Sequence, residues 1–108
     1  MGAIVEAGAD SSVAMGHNTF VSSNATNAVA IGSGSKAMGE SAIALGHGSE
    51  ASGKQSISIG TGNKVTGNHS GAIGDPNTVS GNESYALGNN NTISADKSFV
   101  VGNNVSID

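Results

Sequence analysis

The chain has 108 residues, which is enough for one small domain. Glycine and serine supply 17 residues each and asparagine 12, while aromatic residues make up 3%, which argues against a single core of large side chains. Charged residues are 11% of the chain and the net charge is −4, which argues against binding to nucleic acid or to an anionic membrane surface. No cysteine is present, which excludes disulfides, thiol nucleophiles and thiolate metal ligands.

The remaining composition argues against disorder and against a membrane span. Hydrophobic residues are 36% of the chain, and valine, isoleucine and alanine recur throughout it. No apolar run approaches the ~18 residues that a transmembrane helix needs. The start at residues 1–4 has no basic region followed by an apolar stretch, so we expect no signal peptide there.

Seven short runs that each end in glycine recur along the chain: SVAMG, AVAIG, AIALG, SISIG, SGAIG, SYALG and SFVVG. The spacing between successive terminal glycines is 16 residues and then 14 residues five times in a row. A fixed period of this kind is typical of solenoid architectures. The terminal glycines, here called the key glycines, are Gly16, Gly32, Gly46, Gly60, Gly74, Gly88 and Gly102.

Large and small residues alternate in each run, which is the periodicity of a β-strand. The first column of large residues lies three positions before the key glycine, and the second column lies one position before it. The first column holds Val13, Val29, Ile43, Ile57, Gly71, Tyr85 and Phe99, and the second holds Met15, Ile31, Leu45, Ile59, Ile73, Leu87 and Val101. The positions between and before them are nearly all alanine or serine.

A second strand follows five residues after each key glycine, where a column of Ala, Val or Ile has polar neighbours. The turn between the strands places Gly34, Gly48 and Gly62 at one position and asparagine there in other repeats, and both residue types tolerate positive φ. Two strands and two turns in 14 residues predict one coil of a parallel β-solenoid. Seven coils at ~4.8 Å each predict a rod of roughly 34 Å.

The narrow coil can be filled in two ways. In the interpretation that we favour, the small residues point inward and both columns of large residues point outward. The large residues then form an exposed apolar band, which predicts oligomerisation through this face. In the alternative, the large residues fill the coil and the alanines face solvent.

Some polar residues also recur at the 14-residue period, which supports the stacking of successive coils. Lys36, Glu50 and Lys64 share one column, and Glu40 and Lys54 share another, so that opposite charges neighbour each other. Asn63, Asn77 and Asn91 also share a column. The sequence leaves open whether these asparagines form a hydrogen-bonded amide ladder or are solvated turn residues.

The repeat, with its units SVAMG, NAVAIG, SAIALG and SFVVG, resembles the YadA-like head of trimeric autotransporter adhesins. The resemblance covers about residues 11–105. It implies an all-β, left-handed parallel β-roll assembled as a homotrimer, with the two columns of large residues as the interface. The coiled-coil stalk and membrane β-barrel of that family have no counterpart here, so we expect residues 1–108 to be a single head domain.

The resemblance also implies a function. Such heads are displayed on the outer surface of Gram-negative bacteria, and they bind host extracellular matrix proteins such as collagen, fibronectin or laminin, or host cell-surface receptors. The alternative is a structural fibre or spacer segment without its own ligand. We expect no contact of this fragment with nucleic acid or membrane.

Three departures interrupt the repeat. The first full repeat is two residues longer, around residues 22–26. Gly71 leaves a gap in the first column, and we expect the ring of Tyr85 to lean over it; the competing interpretation has Tyr85 pointing away. Asp75-Pro76 replaces the glycine or asparagine of the turn, and proline cannot adopt positive φ.

Ligand binding is expected on the polar strand and on the longer loop, because loops on rigid scaffolds often carry function. The candidate residues are Ser22, Asn24, Thr26, Lys36, Glu50, Lys64 and Thr78.

The sequence shows no arrangement typical of catalysis. His17 and His47 lie two coils apart, about 10 Å by the coil spacing, which is too far to share a metal within one chain. Gly32-Ser33-Gly34 begins a dinucleotide-binding pattern, but no helix follows it. We therefore expect no enzymatic activity, no metal site and no cofactor.

Overall fold

A computed structural model describes residues 5–108, and these residues form fifteen short strands and no helix. Nothing in this part of the chain provides a helix of sufficient length and apolarity to cross a membrane. In chain order the strands are β1 (Val5–Ala7), β2 (Val13–Met15), β3 (Thr19–Val21), β4 (Val29–Ile31), β5 (Lys36–Ala37), β6 (Ile43–Leu45), β7 (Glu50–Ala51), β8 (Ile57–Gly60), β9 (Lys64–Val65), β10 (Gly71–Gly74), β11 (Thr78–Val79), β12 (Tyr85–Asn89), β13 (Thr92–Ile93), β14 (Phe99–Asn103) and β15 (Ser106–Ile107).

The strands stack into two parallel sheets. The odd-numbered strands form an eight-stranded sheet, here called the polar sheet, and the even-numbered strands form a seven-stranded sheet, here called the apolar-faced sheet. Most strands pair with the strand fourteen residues away, as in the register Ile43↔Ile57. The longest dimension is 36 Å, close to the predicted length. The prediction of an all-β solenoid with 14-residue coils is confirmed.

Small residues fill the interior of the coils. Ala30 and Ala44 of the apolar-faced sheet are fully buried, and so are Val65 and Val79 of the polar sheet. The large residues of the two columns lie outside this core. The alternative in which the large residues fill the coil is therefore wrong, because the coil has room for only one modest side chain from each sheet.

The key glycines permit close stacking of the backbone. At Gly46 a Cβ atom would overlap the carbonyl oxygen of Gly60 in the next coil, and φ is +117°. Six of the seven key glycines have φ between 117° and 135°. A side chain at these positions would both strain the backbone and separate the coils.

The turn after the key glycine has the predicted positive φ at Gly34, Gly48 and Gly62, with values of 69° to 74°. Pro76 occupies the same position in the next coil, where it forms a bend. Gly62 donates its N–H to the carbonyl of His47, and Pro76 has no N–H with which to repeat this bond. The departure at Asp75-Pro76 therefore removes one backbone hydrogen bond between neighbouring coils but does not interrupt the stack.

The second turn of each coil leads from the polar sheet back to the apolar-faced sheet, and it differs from the first in the residue that has positive φ. Its left-handed residue is not glycine, and φ there is 55° to 65°. The residues that adopt it are Ser11, Asn27, Ser41, Gln55, His69, Glu83 and Lys97. Glycines such as Gly53, two residues earlier, are needed instead because a Cβ would overlap the carbonyl oxygen of Gly67 in the next coil.

The asparagine column forms a buried amide ladder. Asn63, Asn77 and Asn91 are at most 1% exposed. The backbone N–H of Asn77 donates to Oδ1 of Asn63 at 2.7 Å, and the N–H of Asn91 donates to Oδ1 of Asn77 at 3.0 Å. The amide nitrogen of Asn77 donates to the carbonyl of Gly88 at 2.8 Å. The ladder interpretation is confirmed, and the solvated one is wrong.

A serine ladder runs through the same half of the chain. The N–H of Ser84 donates to Oγ of Ser70, and the N–H of Ser98 donates to Oγ of Ser84, each at 3.0 Å. Near the other end, the hydroxyl of Thr19 is buried without a hydrogen-bond partner among the described residues. The coils after about residue 54 are therefore joined by more side-chain hydrogen bonds than the coils before it.

The columns of charged residues contribute less to the stability of the stack than the amide ladder does. Lys54 lies 3.6 Å from Glu40, as its column predicts, but both side chains are exposed and such pairs add little stability. Glu50 is in register with Lys36 and Lys64, yet among the described residues it has no cation within 4.0 Å. Its carboxylate accepts a hydrogen bond from Ser52 instead. The register confirms that opposite charges neighbour each other in this column, although Glu50 forms no ion pair with either lysine.

Replacement of Asn77 by alanine is expected to destabilise the fold. Asn77→Ala leaves the buried N–H of Asn91 without its partner and removes one of two hydrogen bonds to the carbonyl of Gly88, which still accepts from the N–H of Asp75. A buried, unpaired group costs about 1–3 kcal/mol, so we expect a loss of that size in the free energy of unfolding measured in urea. Asn24→Ala is the matched control at an exposed asparagine and is expected to change it by less than about 0.5 kcal/mol. Equal effects of the two substitutions would contradict the ladder.

Candidate functional site: an exposed apolar sheet face

Both columns of large residues lie on the outward side of the apolar-faced sheet. Alternation along each strand explains this placement: in β12, Ala86 points into the coil, so Tyr85 and Leu87 point out. Parallel pairing then repeats the arrangement from coil to coil, as in the register Ile31↔Leu45 and Leu45↔Ile59. The repeat therefore builds two adjacent apolar stripes along the rod.

The face formed by the two columns, here called the apolar face, is open to solvent in the single chain. Phe99 and Val101 are the most open, at 70% and 67% exposure. The other exposed members are Val13, Met15, Ile31, Ile73, Tyr85 and Leu87. The remaining large members are half-buried by their neighbours along the columns: Val29, Ile43, Leu45, Ile57 and Ile59. A continuous apolar band of this kind is unusual on a soluble monomer and indicates an interaction surface.

Gly71 interrupts the apolar face with a groove. The groove has a volume of about 230 Å³, and its walls are apolar. Six of the residues that line it are Ile57, Gly71, Ile73, Tyr85, Leu87 and Phe99.

Tyr85 covers Gly71, which is buried in the single chain. A Cβ atom on Gly71 would lie 2.9 Å from both Cδ2 and Cε2 of the Tyr85 ring, so the ring leans over the glycine as predicted. The competing interpretation, in which Tyr85 points away, is wrong. The ring centroid of Phe99 lies 6.2 Å from that of Tyr85, so the two aromatic rings contact each other beside the groove.

The opposite surface of the rod is polar. Of the predicted ligand-binding residues on the polar sheet, Lys36, Lys64 and Thr78 are exposed, while Glu50 is half-buried. They lie in one column on the outer side of β5, β7, β9 and β11, which the register confirms. The structure therefore brings these four residues together along the rod, on a sheet other than the one that carries the apolar face.

The longer loop is more compact than the sequence suggests. Ala25 is fully buried and takes the position that glycine occupies in later coils. The two additional residues are therefore Ser23 and Asn24, both of which are exposed. Ser22 and Thr26 are half-buried on either side of them. Sequence comparison of the repeats shows the excess of two residues, but only the hydrogen-bond pattern identifies which two they are.

The described residues offer no group of three or more His, Asp or Glu side chains suited to a metal ion. His17, His47 and His69 are exposed turn residues.

Comparison with protein families agrees with this geometry. The sequence model of the YadA head domain repeat, which spans two copies of the repeat, matches residues 7–35, 23–49, 37–63, 51–75 and 80–104. The chain belongs to the YadA head family. These repeats and their β-solenoid fold are those of structural adhesins of the trimeric autotransporter type rather than of enzymes, and such adhesins are in general exposed on the cell surface. No curated relative matches the chain.

The contact between Gly71 and Tyr85 predicts strong coupling between substitutions at the two positions. Gly71→Val alone places a side chain against the Tyr85 ring and is expected to lower the melting temperature, because the ring must move. Tyr85→Val removes the ring, so the double variant is expected to be more stable than the sum of the two single changes predicts.

The measurement is a double-mutant cycle by thermal unfolding. Ile43→Val serves as a control for loss of volume in the first column without a change at the groove. Additive melting-temperature changes for Gly71→Val and Tyr85→Val would show that the two side chains do not interact.

Proposed function

We propose that this chain is the head of a trimeric adhesin, in which three copies pack their apolar faces around a threefold axis parallel to the stack of coils. The polar sheets then face outward and bind a host ligand. The apolar face is the single observation that carries this proposal, because two stripes of large apolar side chains need to be covered. Membership of the YadA head family supports a trimer over other assemblies.

The proposed interface consists of the two columns together. Its contribution to binding comes from removal of large apolar side chains from water, at about 25 cal/mol for each Å². The interior alanines and serines cannot supply this energy, because they are already buried within the coil. The interface is therefore expected to depend on the outward residues and to be insensitive to the polar sheet.

We further propose that the ligand is a host extracellular matrix protein, such as collagen, fibronectin or laminin, or a host cell-surface receptor. The proposed binding surface comprises the polar sheet around Lys36, Glu50, Lys64 and Thr78 and the loop of residues 22–26. Support comes from the exposure of Lys36, Lys64, Thr78 and Asn24. Outward display on the bacterial cell surface follows from the same proposal.

Charges on the apolar face are expected to abolish the trimer. In a variant with Ile31→Asp and Ile59→Asp, each carboxylate would be buried in the interface without a partner. The two positions are separated by Leu45, so the charges do not neighbour each other within the chain. Size-exclusion chromatography with light scattering is expected to give a trimer for the natural chain and a monomer for the variant.

The matched control places the same charges on the other sheet. Thr78→Asp with Ser106→Asp changes two exposed positions that are also separated by one strand, β13. This variant is expected to remain trimeric, and circular dichroism is expected to show β-structure in every variant. A natural chain that is monomeric, or a trimer that tolerates Ile31→Asp and Ile59→Asp, would contradict the proposed assembly.

Changes on the polar sheet and the loop are expected to weaken adhesion without affecting the trimer. We expect deletion of Ser23 and Asn24 combined with Lys36→Ala and Lys64→Ala to weaken binding by about tenfold or more, which corresponds to ~1.4 kcal/mol. The measurement is binding of the purified trimer to surfaces coated with collagen, fibronectin or laminin and to host cells.

The control is Glu40→Ala with Lys54→Ala, which removes an exposed ion pair at the second turn. This control is expected to bind like the natural chain. Undiminished binding by the deletion variant in a folded trimer would place the ligand site elsewhere. Absence of binding by the natural trimer to every matrix protein and to host cells would favour a structural fibre segment.

A further inference from the structure

The groove at Gly71 is incomplete within one chain. Gly71 is the one small residue in the first column, between Ile57 and Tyr85 on the neighbouring strands. The Tyr85 ring leans over the glycine, yet a groove of about 230 Å³ remains beside it. The chain therefore supplies the walls of an apolar site but not the group that fills it.

The size and chemistry of the groove suit an aliphatic side chain. An apolar cavity of about 150 Å³ is large enough to hold a benzene molecule, so this groove has room for a branched side chain. Sites for small soluble ligands usually contain a few polar groups that fix the orientation of the ligand. The walls of this groove are apolar, which favours a side chain of another protein over a free ligand.

Threefold symmetry determines which side chain reaches the groove. A closed ring of three copies is built from heterologous contacts, in which one patch meets a different patch of the neighbour. The apolar face offers two patches, the first column and the second column. With the axis parallel to the stack, the first column of one copy meets the second column of the next at the same height. Gly71 and Ile73 lie on the same strand, β10, and Ile73 is 46% exposed.

We propose that the groove at Gly71 is a socket for the side chain of Ile73 from a neighbouring copy of this chain. The inference rests on the proposed trimer and adds a specific contact to it. Each copy donates one Ile73 and accepts another, so the trimer contains three identical contacts. Gly71 itself is buried beneath the Tyr85 ring, so the side chain from the neighbouring copy occupies the open part of the groove beside the ring.

Disulfide trapping tests this contact directly, because the natural chain contains no cysteine. In Gly71→Cys with Ile73→Cys, a disulfide within one chain is disfavoured, since residues two apart on a strand lie about 6.8 Å from each other and their side chains are parallel. Mild oxidation of the trimer is expected to link all three copies into a covalent trimer on non-reducing gels. A heterologous contact gives this ring, whereas a contact of position 71 with itself gives dimers at most.

Three control variants accompany the trapping experiment. Gly71→Cys alone and Ile73→Cys alone are expected to give no covalent trimer. Gly71→Cys with Ile31→Cys pairs the socket with a second-column residue three coils away and is also expected to give none.

The trimer association constant provides a second readout that is independent of cysteine. If the socket is occupied in the trimer, Gly71→Val overfills it and is expected to weaken association by about tenfold or more in sedimentation equilibrium. Strain against the chain's own Tyr85 is present in the monomer as well, so it contributes little to this constant. Ile43→Val is the control for a position in the same column that does not line the groove.

The results distinguish a failure of the proposed socket from a failure of the proposed trimer. A trimeric natural chain that gives no covalent trimer, or in which Gly71→Val leaves association unchanged or strengthens it, overturns the socket and leaves the proposed trimer intact. A natural chain that is monomeric under these conditions overturns both.

Discussion

The narrowness of the 14-residue coil is the constraint on which the rest of the structure depends. Two strands joined by two tight turns enclose space for little more than alanine or serine from one sheet and alanine, valine or isoleucine from the other. The large residues of the two columns must therefore point outward, although Val100 of β14 is buried inside the last coil. The same alternation that fills the coil thus creates the apolar face, and an internal packing limit becomes the reason for the proposed association with other copies.

Such a thin rod cannot depend on its core alone, since its buried side chains are small. Close backbone stacking at the key glycines and hydrogen-bonded side-chain ladders supply additional cohesion between coils. The buried apolar residues form two clusters, Val21 to Ala51 and Val65 to Val100, and the polar Ser56, Ser58 and Asn63 lie between them. The second cluster coincides with the amide and serine ladders, so the two halves of the rod are held together by different proportions of apolar contact and hydrogen bonding.

The sequence predicts the coil, its register and the outward columns, because these follow from a period that repeats seven times. It also predicts the position of Tyr85 over Gly71, since the stack places the two residues side by side. It does not predict that Ser41 or Gln55 adopts positive φ, because hydrogen bonds between turns override local preference there. The burial of Asn77 and the absence of an ion pair at Glu50 likewise depend on side-chain directions that a repeat pattern leaves open.

The relative oxidation rates of two methionines test the central claim most directly, because they lie on opposite sheets of the same rod. Met15 belongs to the second column and is 46% exposed in the single chain, whereas Met38 follows β5 of the polar sheet and is half-buried. Under limiting peroxide, peptide mass spectrometry measures sulfoxide formation at each residue. If other copies cover the apolar face, Met15 is expected to oxidise more slowly than Met38, the reverse of the order that the single chain gives. Faster oxidation of Met15 in the natural assembly would contradict the account.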